Sequence, residues 1–521
     1  MHMPSPEMTR RRRLWAFFAL MLAGLMSSLD ATVLGTALPT IVGELGGLDR
    51  IAWVSTAYVL ATSVTVPLSG RLGDLFGRKP VLLAGLALFL AGSAACGAAP
   101  SMDWLIALRV LQGAGAGCLM ASMFAVTGEL FEPRERARYQ GWSALNFAVS
   151  SIAGPLVGGA LTDHASWRWA FFVNLPLGLT AVAIIVPVLR LPRPRGRARV
   201  DYPGIVLLGA AVTCFTLLTS WAGTRHAWGS PVVLGLAAAT AVLGALWVAV
   251  ERRAAEPVVP PRLFRDRSFA VASVVALAGG ATGFGLATYL PMFLQTVGGA
   301  GATGSGLLLL PMMAGLVLAS IAAGQYISRT GRYHRLPALS MALGAAGIAL
   351  MATMDAGTSP LTAGLFMAVL GLGAGLSQQV VVLIAQNSAP PRDLGAASSA
   401  VFASRMVGTA AGMAVFGGVL SARFAAEAGR YVPAGSVPAF DDLARPEVLD
   451  GLSAPVRDGV AEAFAHAYSV LFVTALVPAL VGLAAGLLLR DVPLAARRPP
   501  GAPDATSPRA ASAGPGPGAG G

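Results

Sequence analysis

Fourteen runs of about 20 mainly apolar residues, each long enough to cross a bilayer as a helix, follow one another along this 521-residue chain with short polar gaps between them. They fall at 14–38, 52–72, 80–99, 102–127, 138–161, 168–189, 203–222, 230–250, 268–294, 303–327, 336–354, 360–384, 396–420 and 466–489. Backbone inside hydrocarbon must satisfy its own N–H and C=O groups, so only helices and closed barrels span a membrane. The runs lack the ~10-residue alternation of barrel strands, and the sequence therefore predicts an all-α membrane protein. Composition agrees: 55% of residues are hydrophobic and 12% charged, too few charges to coat a soluble surface. Arg10 to Arg13 precede the first run as they would in a signal peptide. No small-residue cleavage site follows, however, and the run continues to Pro39, which predicts an uncleaved helix.

A net charge of +12 could suggest nucleic-acid binding, but its distribution points elsewhere. Most of the 37 basic residues fall in alternate loops and the two tails, on the side shared by both termini. By the positive-inside rule that side is cytoplasmic, which predicts a multi-pass protein of a bacterial cell (inner) membrane with both termini inside. The single Lys79 against many arginines fits a GC-rich bacterial source. Arg423, Arg430, Arg445 and Arg457 depart from the pattern and share the longer outer loop 421–463.

Internal similarity relates the two halves. Gly70 to Arg78 aligns with Gly324 to Arg332 at an offset of 254; Pro133-Arg134 aligns with Pro391-Arg392, and Gly154 with Gly412, at an offset of 258. Six spans thus repeat after two extra ones, giving a 6+2+6 order. The expected organisation is a basic cytoplasmic N-terminus over 1–13, an N-terminal six-helix bundle over 14–189, and linkers with two inserted helices over 190–267. A C-terminal six-helix bundle over 268–489 follows, including the outer loop 421–463, and then a disordered cytoplasmic tail over 490–521 rich in Pro, Ala and Gly. Within the outer loop, FDDLARPEVLDGL and VRDGVAEAFAHA carry short amphipathic patterns that suit a helical cap.

Charge inside a membrane is costly and marks function by default. Asp30 is the one acid well inside a span; Arg109 and Arg405 are the two bases. At ~1.5 Å per residue, Asp30 and Arg109 both lie about 10 Å below the outer ends of their spans, so their depths match. A buried carboxylate responds to burial and to a neighbouring guanidinium in opposite directions, which makes the pair a candidate proton-coupling site; a fixed bridge between two helices is the alternative. Arg405 suits packing or coupling equally. Gln112, Asn146, Asn174, Gln295 and Gln378 are polar groups in or near spans, of which Gln112, Asn146 and Gln295 are candidates for the cavity or for coupling. GRLGDLFGRKP, Gly70 to Pro80, concentrates glycine and charge between spans 2 and 3, where a topological loop is the simplest reading and the degenerate copy at 324–332 argues for more.

That loop resembles the signature of the major facilitator superfamily. LDATVLGTALPTI (Leu29 to Ile41), RVLQGAGAG (Arg109 to Gly117), SSIAGPLVGG (Ser150 to Gly159), SWRWAFFVNLPLG (Ser166 to Gly178) and YLPMFLQTVGG (Tyr289 to Gly299) are similar to stretches of its fourteen-span drug:proton antiporters of the EmrB/QacA type. Gly35 stands where the first of these usually carries Asn. The resemblance covers residues 10 to 490. It implies the major facilitator fold with 14 transmembrane helices as two pseudo-symmetric six-helix bundles. It further implies a conformational latch formed by Gly70, Asp74, Gly77, Arg78 and Glu129, and an exporter's antiporter motif at Gly154, Pro155, Gly158 and Gly159.

An enzyme is not expected. His2, His164, His226, His334 and His466 lie in tails, loops or a span end, and no metal-ligand spacing or phosphate-binding Gly-Lys-Ser/Thr loop appears. No cofactor and no metal are expected, with a proton gradient as the energy source. The expected partners are protons, membrane lipids and small lipophilic or cationic substrates, for a protein acting as a monomer. The reading is a proton-coupled efflux transporter for lipophilic drug-like or antibiotic compounds. The alternatives are a transporter of a specific metabolite, amino acid or lipid-like compound, and a receptor or scaffold of the same fold.

Overall fold

A computed structural model describes residues 8–47, 50–191, 200–223, 225–299, 302–355, 357–432 and 452–490. The first half contains α1 (Arg10–Leu45), α2 (Ile51–Phe76), α3 (Arg78–Gly97), α4 (Met102–Leu130), α5 (Pro133–Trp142), α6 (Ala144–His164), α7 (Trp169–Phe172) and α8 (Asn174–Val188). The inserted pair is α9 (Tyr202–Trp221) and α10 (Pro231–Glu251). The second half contains α11 (Arg267–Gly279), a π-helical turn (Gly280–Gly285), α12 (Leu290–Thr296), α13 (Ala302–Leu308), α14 (Leu310–Thr330) and α15 (Leu336–Met351). After these come α16 (Pro360–Gln378), α17 (Val380–Ser388), α18 (Leu394–Tyr431) and α19 (Ala454–Leu487).

Joined across their short breaks, these elements give 13 segments among the described residues that are long and apolar enough to cross a membrane. α15, at 16 residues, is the shorter apolar helix in the place of the remaining expected span. At 1.5 Å per residue it reaches only about 24 Å. The spans pack into two six-helix bundles. In the first, Leu82, Phe89, Leu119 and Ile185 anchor one apolar cluster and Val33, Ile41, Trp167 and Phe171 another. In the second, Leu286, Met351, Phe464 and Phe472 form the larger core. A further cluster places Phe124 and Ala137 of the first half among Val381, Ile384 and Val401 of the second, joining the bundles.

Lipid is as apolar as leucine, so helices in a membrane associate through close packing, which favours small residues at their contacts. A Cβ on Gly371 would collide with the backbone of Met312, and one on Gly315 would lie 2.7 Å from the carbonyl oxygen of Ala368. These reciprocal approaches fix α14 against α16. The inserted pair differs: few residues of α9 and α10 are fully buried, and they reach the bundles through Trp221, which meets Trp53 at 6.0 Å, and through Ile205, Leu208 and Trp247, which pack on the cluster that joins the halves.

Two expectations change in the outer region. Helix α18 continues to Tyr431 and α19 starts at Ala454, so both ends of the expected loop 421–463 are helical. VRDGVAEAFAHA is the first part of α19 rather than a separate cap; Val460, Phe464 and Ala467 are buried and Asp458 exposed. Hydropathy marks where a helix leaves lipid, not where it ends. FDDLARPEVLDGL lies almost wholly outside the described residues, as do residues 192–199 of the linker and the tail beyond Arg490.

Gly371→Leu, which overpacks the α14–α16 contact, is expected to cost about 1–3 kcal/mol and to lower the apparent melting temperature of the purified protein by several degrees. Gly235→Leu on the exposed face of α10, where nothing lies within 4 Å, is expected to leave that temperature unchanged in the same unfolding assay.

Candidate functional site

The deepest polar cluster is built on Asp30 of α1. Arg109 and Gln112 are three residues apart on α4 and so share one helix face; both point at the carboxylate. Arg109 Nη1 donates to Asp30 Oδ2 at 2.6 Å and to Gln112 Oε1 at 2.8 Å, while Gln112 Nε2 donates to Asp30 Oδ1 at 2.7 Å. Asn174, the first residue of α8, donates through Nδ2 to the same Oδ1 at 2.9 Å. Ser93 of α3 accepts from Gln112 at 3.2 Å and from Asn174 at 3.0 Å, and donates to the Phe171 carbonyl at 2.8 Å.

The guanidinium is enclosed as fully as the carboxylate. Arg109 Nε donates to the Val54 carbonyl at 3.2 Å, and its Cζ lies 4.1 Å from the centre of the Tyr58 ring. The side chains of Asp30 and Arg109 are 1% and 2% exposed. Five helices therefore converge on one ion pair whose charges are matched by donors, acceptors and a ring face, as a low-dielectric site requires. Asp30, Arg109 and Gln112 come together as the sequence places them. Asn174, singled out in the sequence only as a polar residue near a span, and Ser93 and Tyr58, which stood out not at all, complete the cluster.

A second site joins the two bundles at the arginine-rich face of the protein. The Asp74 carboxylate, at the end of α2, accepts from the backbone amides of Gly395 at 3.0 Å and Ala396 at 2.8 Å, in the first turn of α18. Those amides have no partner within their own helix, and the helix dipole favours an anion there. Arg78 Nη2 donates to Asp74 Oδ1 at 2.7 Å, and Arg78 Nε lies 2.5 Å from Glu129 Oε1 at the end of α4. The glycines have distinct jobs. A Cβ on Gly70 would strike Ser399 and the Gly395 backbone, and Gly77 has φ +98°, which lets α3 begin immediately after α2.

Contacts that the sequence did not single out extend this closure. Arg71 pairs with Asp393 at 3.3 Å and with Glu256, and Arg262 donates to both Asp393 oxygens at 3.0 and 2.8 Å. Arg136 and Gln140 of α5 reach Gln386 of α17 at 3.1 and 3.3 Å, and Gln386 Nε2 donates to the Phe124 carbonyl at 3.1 Å. The degenerate copy of the loop takes a different part: Gly324 packs on the backbone of Ala137, and Gly331 caps α14 at φ +71°.

The glycine motif of α6 lies against α1. Gly154 meets Thr32, Gly158 meets Thr36 and Val33, and Thr32 Oγ1 donates to the Ser150 carbonyl at 2.9 Å. Gly159 has nothing within 4 Å, and Pro155 is exposed inside the helix. The other candidates stand apart from the Asp30 cluster. Gln295 donates to Ser305 Oγ at 3.0 Å, Asn146 is buried beside Gly24, and Arg405 Nη2 donates to the Gln378 carbonyl at 2.6 Å.

The architecture and these sites can be set beside known proteins. Residues 20–413 match the Major Facilitator Superfamily. The chain is 41% identical over 493 residues to an uncharacterized MFS-type transporter of Mycobacterium tuberculosis, covering 94% of this chain and 71% of the relative. It is 36% identical over 439 residues to the multidrug transporter protein MdtP of Bacillus subtilis (84% and 80% of the two chains), and 34% identical over 400 residues to multidrug resistance protein 3 of the same organism (77% and 78%). The crystal structure of the human organic anion transporter MFSD10 (TETRAN) shares the fold, with a TM-score of 0.60 at 15% identity over 90% of this chain and 99% of that one. A multi-pass helical membrane protein with this sequence kinship is a transporter, and the chain belongs to the Major Facilitator Superfamily.

Proposed function

We propose that the chain is a proton-coupled antiporter that exports lipophilic, drug-like molecules by alternating access, of the fourteen-span drug:proton kind that its motifs resemble. The observation that carries this reading is the sealed Asp30–Arg109 pair, 2.6 Å apart. An exporter driven by a proton gradient needs a protonatable group inside the membrane whose ionisation is tied to helix packing. Asp30 is such a group, because neutralising it removes the charge that ties Arg109 and Gln112 of α4 and Asn174 of α8 to α1. The kinship with named multidrug transporters supports drug-like cargo.

On the positive-inside rule the arginine-rich face is cytoplasmic in a bacterial cell membrane, so this arrangement is closed to the cytoplasm by the Asp74 latch. The latch is made of hydrogen bonds and ion pairs at an aqueous surface, which water can replace when the bundles separate. The cycle then runs between this state and one in which Asp74 has left the first turn of α18. Proton uptake by Asp30 from outside, loosening of its cluster and opening of the cytoplasmic face form one sequence; cargo loading and proton release to the cytoplasm form the return.

Two measurements test the reading. Inverted vesicles with an acidic interior are expected to lose their pH gradient when a transported drug is added to the wild type and to keep it with Asp30→Asn; collapse in both would remove Asp30 from coupling. Asp74→Asn weakens two charge-assisted hydrogen bonds and an ion pair. Hydrogen bonds to charged groups contribute about 1.5–3 kcal/mol each, so the fraction open at the cytoplasmic face is expected to rise about tenfold or more. Distances between spin labels at Arg138 and Arg329, both exposed at that face, would report it.

A further inference from the structure

Arg405 solves the problem of a buried charge in a way that Arg109 does not. It is 7% exposed, and its position ten residues beyond the latch amide of Gly395 on α18 places it about 15 Å into the protein, near the middle of a ~30 Å hydrocarbon core. A guanidinium offers five N–H donors. Here one nitrogen, Nη2, serves the Gln378 carbonyl at 2.6 Å, and the Phe402 ring centre lies 5.8 Å from Cζ. No carboxylate among the described residues pairs with it. The one acid at comparable depth, Asp30, is already bound by Arg109, Gln112 and Asn174.

The surroundings of Arg405 are irregular. The helix pair α16–α17 breaks at Gln379, and α11 passes into the π-helical turn Gly280–Gly285, whose Gly280 carbonyl accepts from Thr409 at 3.2 Å. Interrupted spanning helices and π-turns recur where transporters hold ligands. At the break, the side-chain oxygens of Gln378 and Gln379 are buried without a partner. A half-turn of either amide exchanges its oxygen for an N–H donor, so the same side chains can serve an acceptor as well as a donor. The neighbours of Arg405 reach the other bundle: Phe402, one turn away, meets Phe124 of α4 at 6.1 Å, and in the nearby π-turn Phe284 meets Phe147 of α6 at 5.1 Å.

We propose that Arg405 is the anion-recognising part of the substrate site, and that the exported molecules carry a carboxylate on a lipophilic body. This rests on the transport reading above and adds the substrate's chemical class. The fork of a guanidinium matches a carboxylate with two parallel hydrogen bonds, and the ligand supplies the counter-charge that the chain itself withholds. Asp30, wholly engaged by its own cluster, is no partner for a cationic head in this state. The aromatic pair Phe147 and Phe284 lies on the bundle boundary where the apolar body would rest.

The test uses full-length protein in nanodiscs of zwitterionic lipid without any gradient, with dansyl-leucine and the uncharged dansyl-leucinamide as fluorescent probes. Wild type is expected to bind the acid about tenfold or more tightly than the amide. Arg405→Lys is expected to keep a reduced preference, and Arg405→Gln, which still offers a donor to the Gln378 carbonyl, to bind both probes equally. Equal binding of the two probes by wild type overturns the inference, and so does an undiminished preference in Arg405→Gln. A response of wild type to chloride alone, with no preference for the acid, also overturns it by making the site one for an inorganic ion. Binding is read without proton movement, so a failure of antiport with an intact acid preference would fall on the transport reading alone.

Discussion

The buried polar groups at the centre of the first bundle are arranged around the cost of one carboxylate in a medium without water. Removing one partner of a buried ion pair costs about 3–5 kcal/mol, so the pair Asp30–Arg109 obliges its neighbours to remain in register. Gln112 serves both charges at once, accepting from one and donating to the other. Asn174 then ties α8 to α1, and Ser93 ties α3 to α4 and α8, donating its own hydrogen bond to the Phe171 carbonyl. The cluster is a hub because each polar atom added to satisfy one charge needs a partner in turn. On the proposed antiport reading, that dependence is what would let a structural pair serve as a switch.

The latch follows the opposite logic. Its Asp74 and Arg78 side chains are 1% and 4% exposed while the bundles are joined, and water reaches them only when the bundles separate; a helix end supplies the acceptor's partners and an i,i+4 arginine orients the carboxylate. Apolar contact reinforces it from behind, with Phe124 and Ala137 set into the second bundle's core. On the proposed reading, contacts between the bundles that open to water on separation hold the closed state, and those inside one bundle serve coupling.

Much of this was legible in the sequence, for reasons that also explain what was not. Spans are legible because hydrocarbon imposes a composition over ~20 residues, and Asp30, Arg109 and Arg405 because charge in such a run is rare. Asn174 and Ser93 were not, since neutral polar residues are ordinary in spanning helices and acquire meaning only from the side chain opposite. The breaks at Gln379 and at Gly280–Gly285 were equally hidden: the runs around them stay apolar, and hydropathy does not register how a backbone hydrogen bond is routed. The same blindness put the ends of α18 and α19 at the membrane boundary, though ARFAAEAGR at 422–430 and the segment from Ala454 continue as helix in water. In the latch loop, Arg71 drew no notice beside Asp74 and Arg78 because its partners, Glu256 and Asp393, are 185 and 322 residues away.

The two halves repeat in order and diverge in charge. Arg109 and Arg405 each sit in a span, each beneath an aromatic ring, and each reaches a backbone carbonyl of a neighbouring segment. Among the described residues, only the first has an acid for a partner. Arg405 is not the repeat counterpart of Arg109, which the offsets of 254 and 258 align with Ala363 and Met367; it is a separate charge, and an apolar side chain of similar size would fill its space without the desolvation cost. If the two proposals above hold, the asymmetry is a division of labour: one half closes its charge internally and responds to protons, while the other leaves its charge open to a ligand between the bundles. On that reading, rocking the halves about their shared interface would alter the setting of both charges in a single motion, which is the minimum an exchanger of two unlike ligands requires.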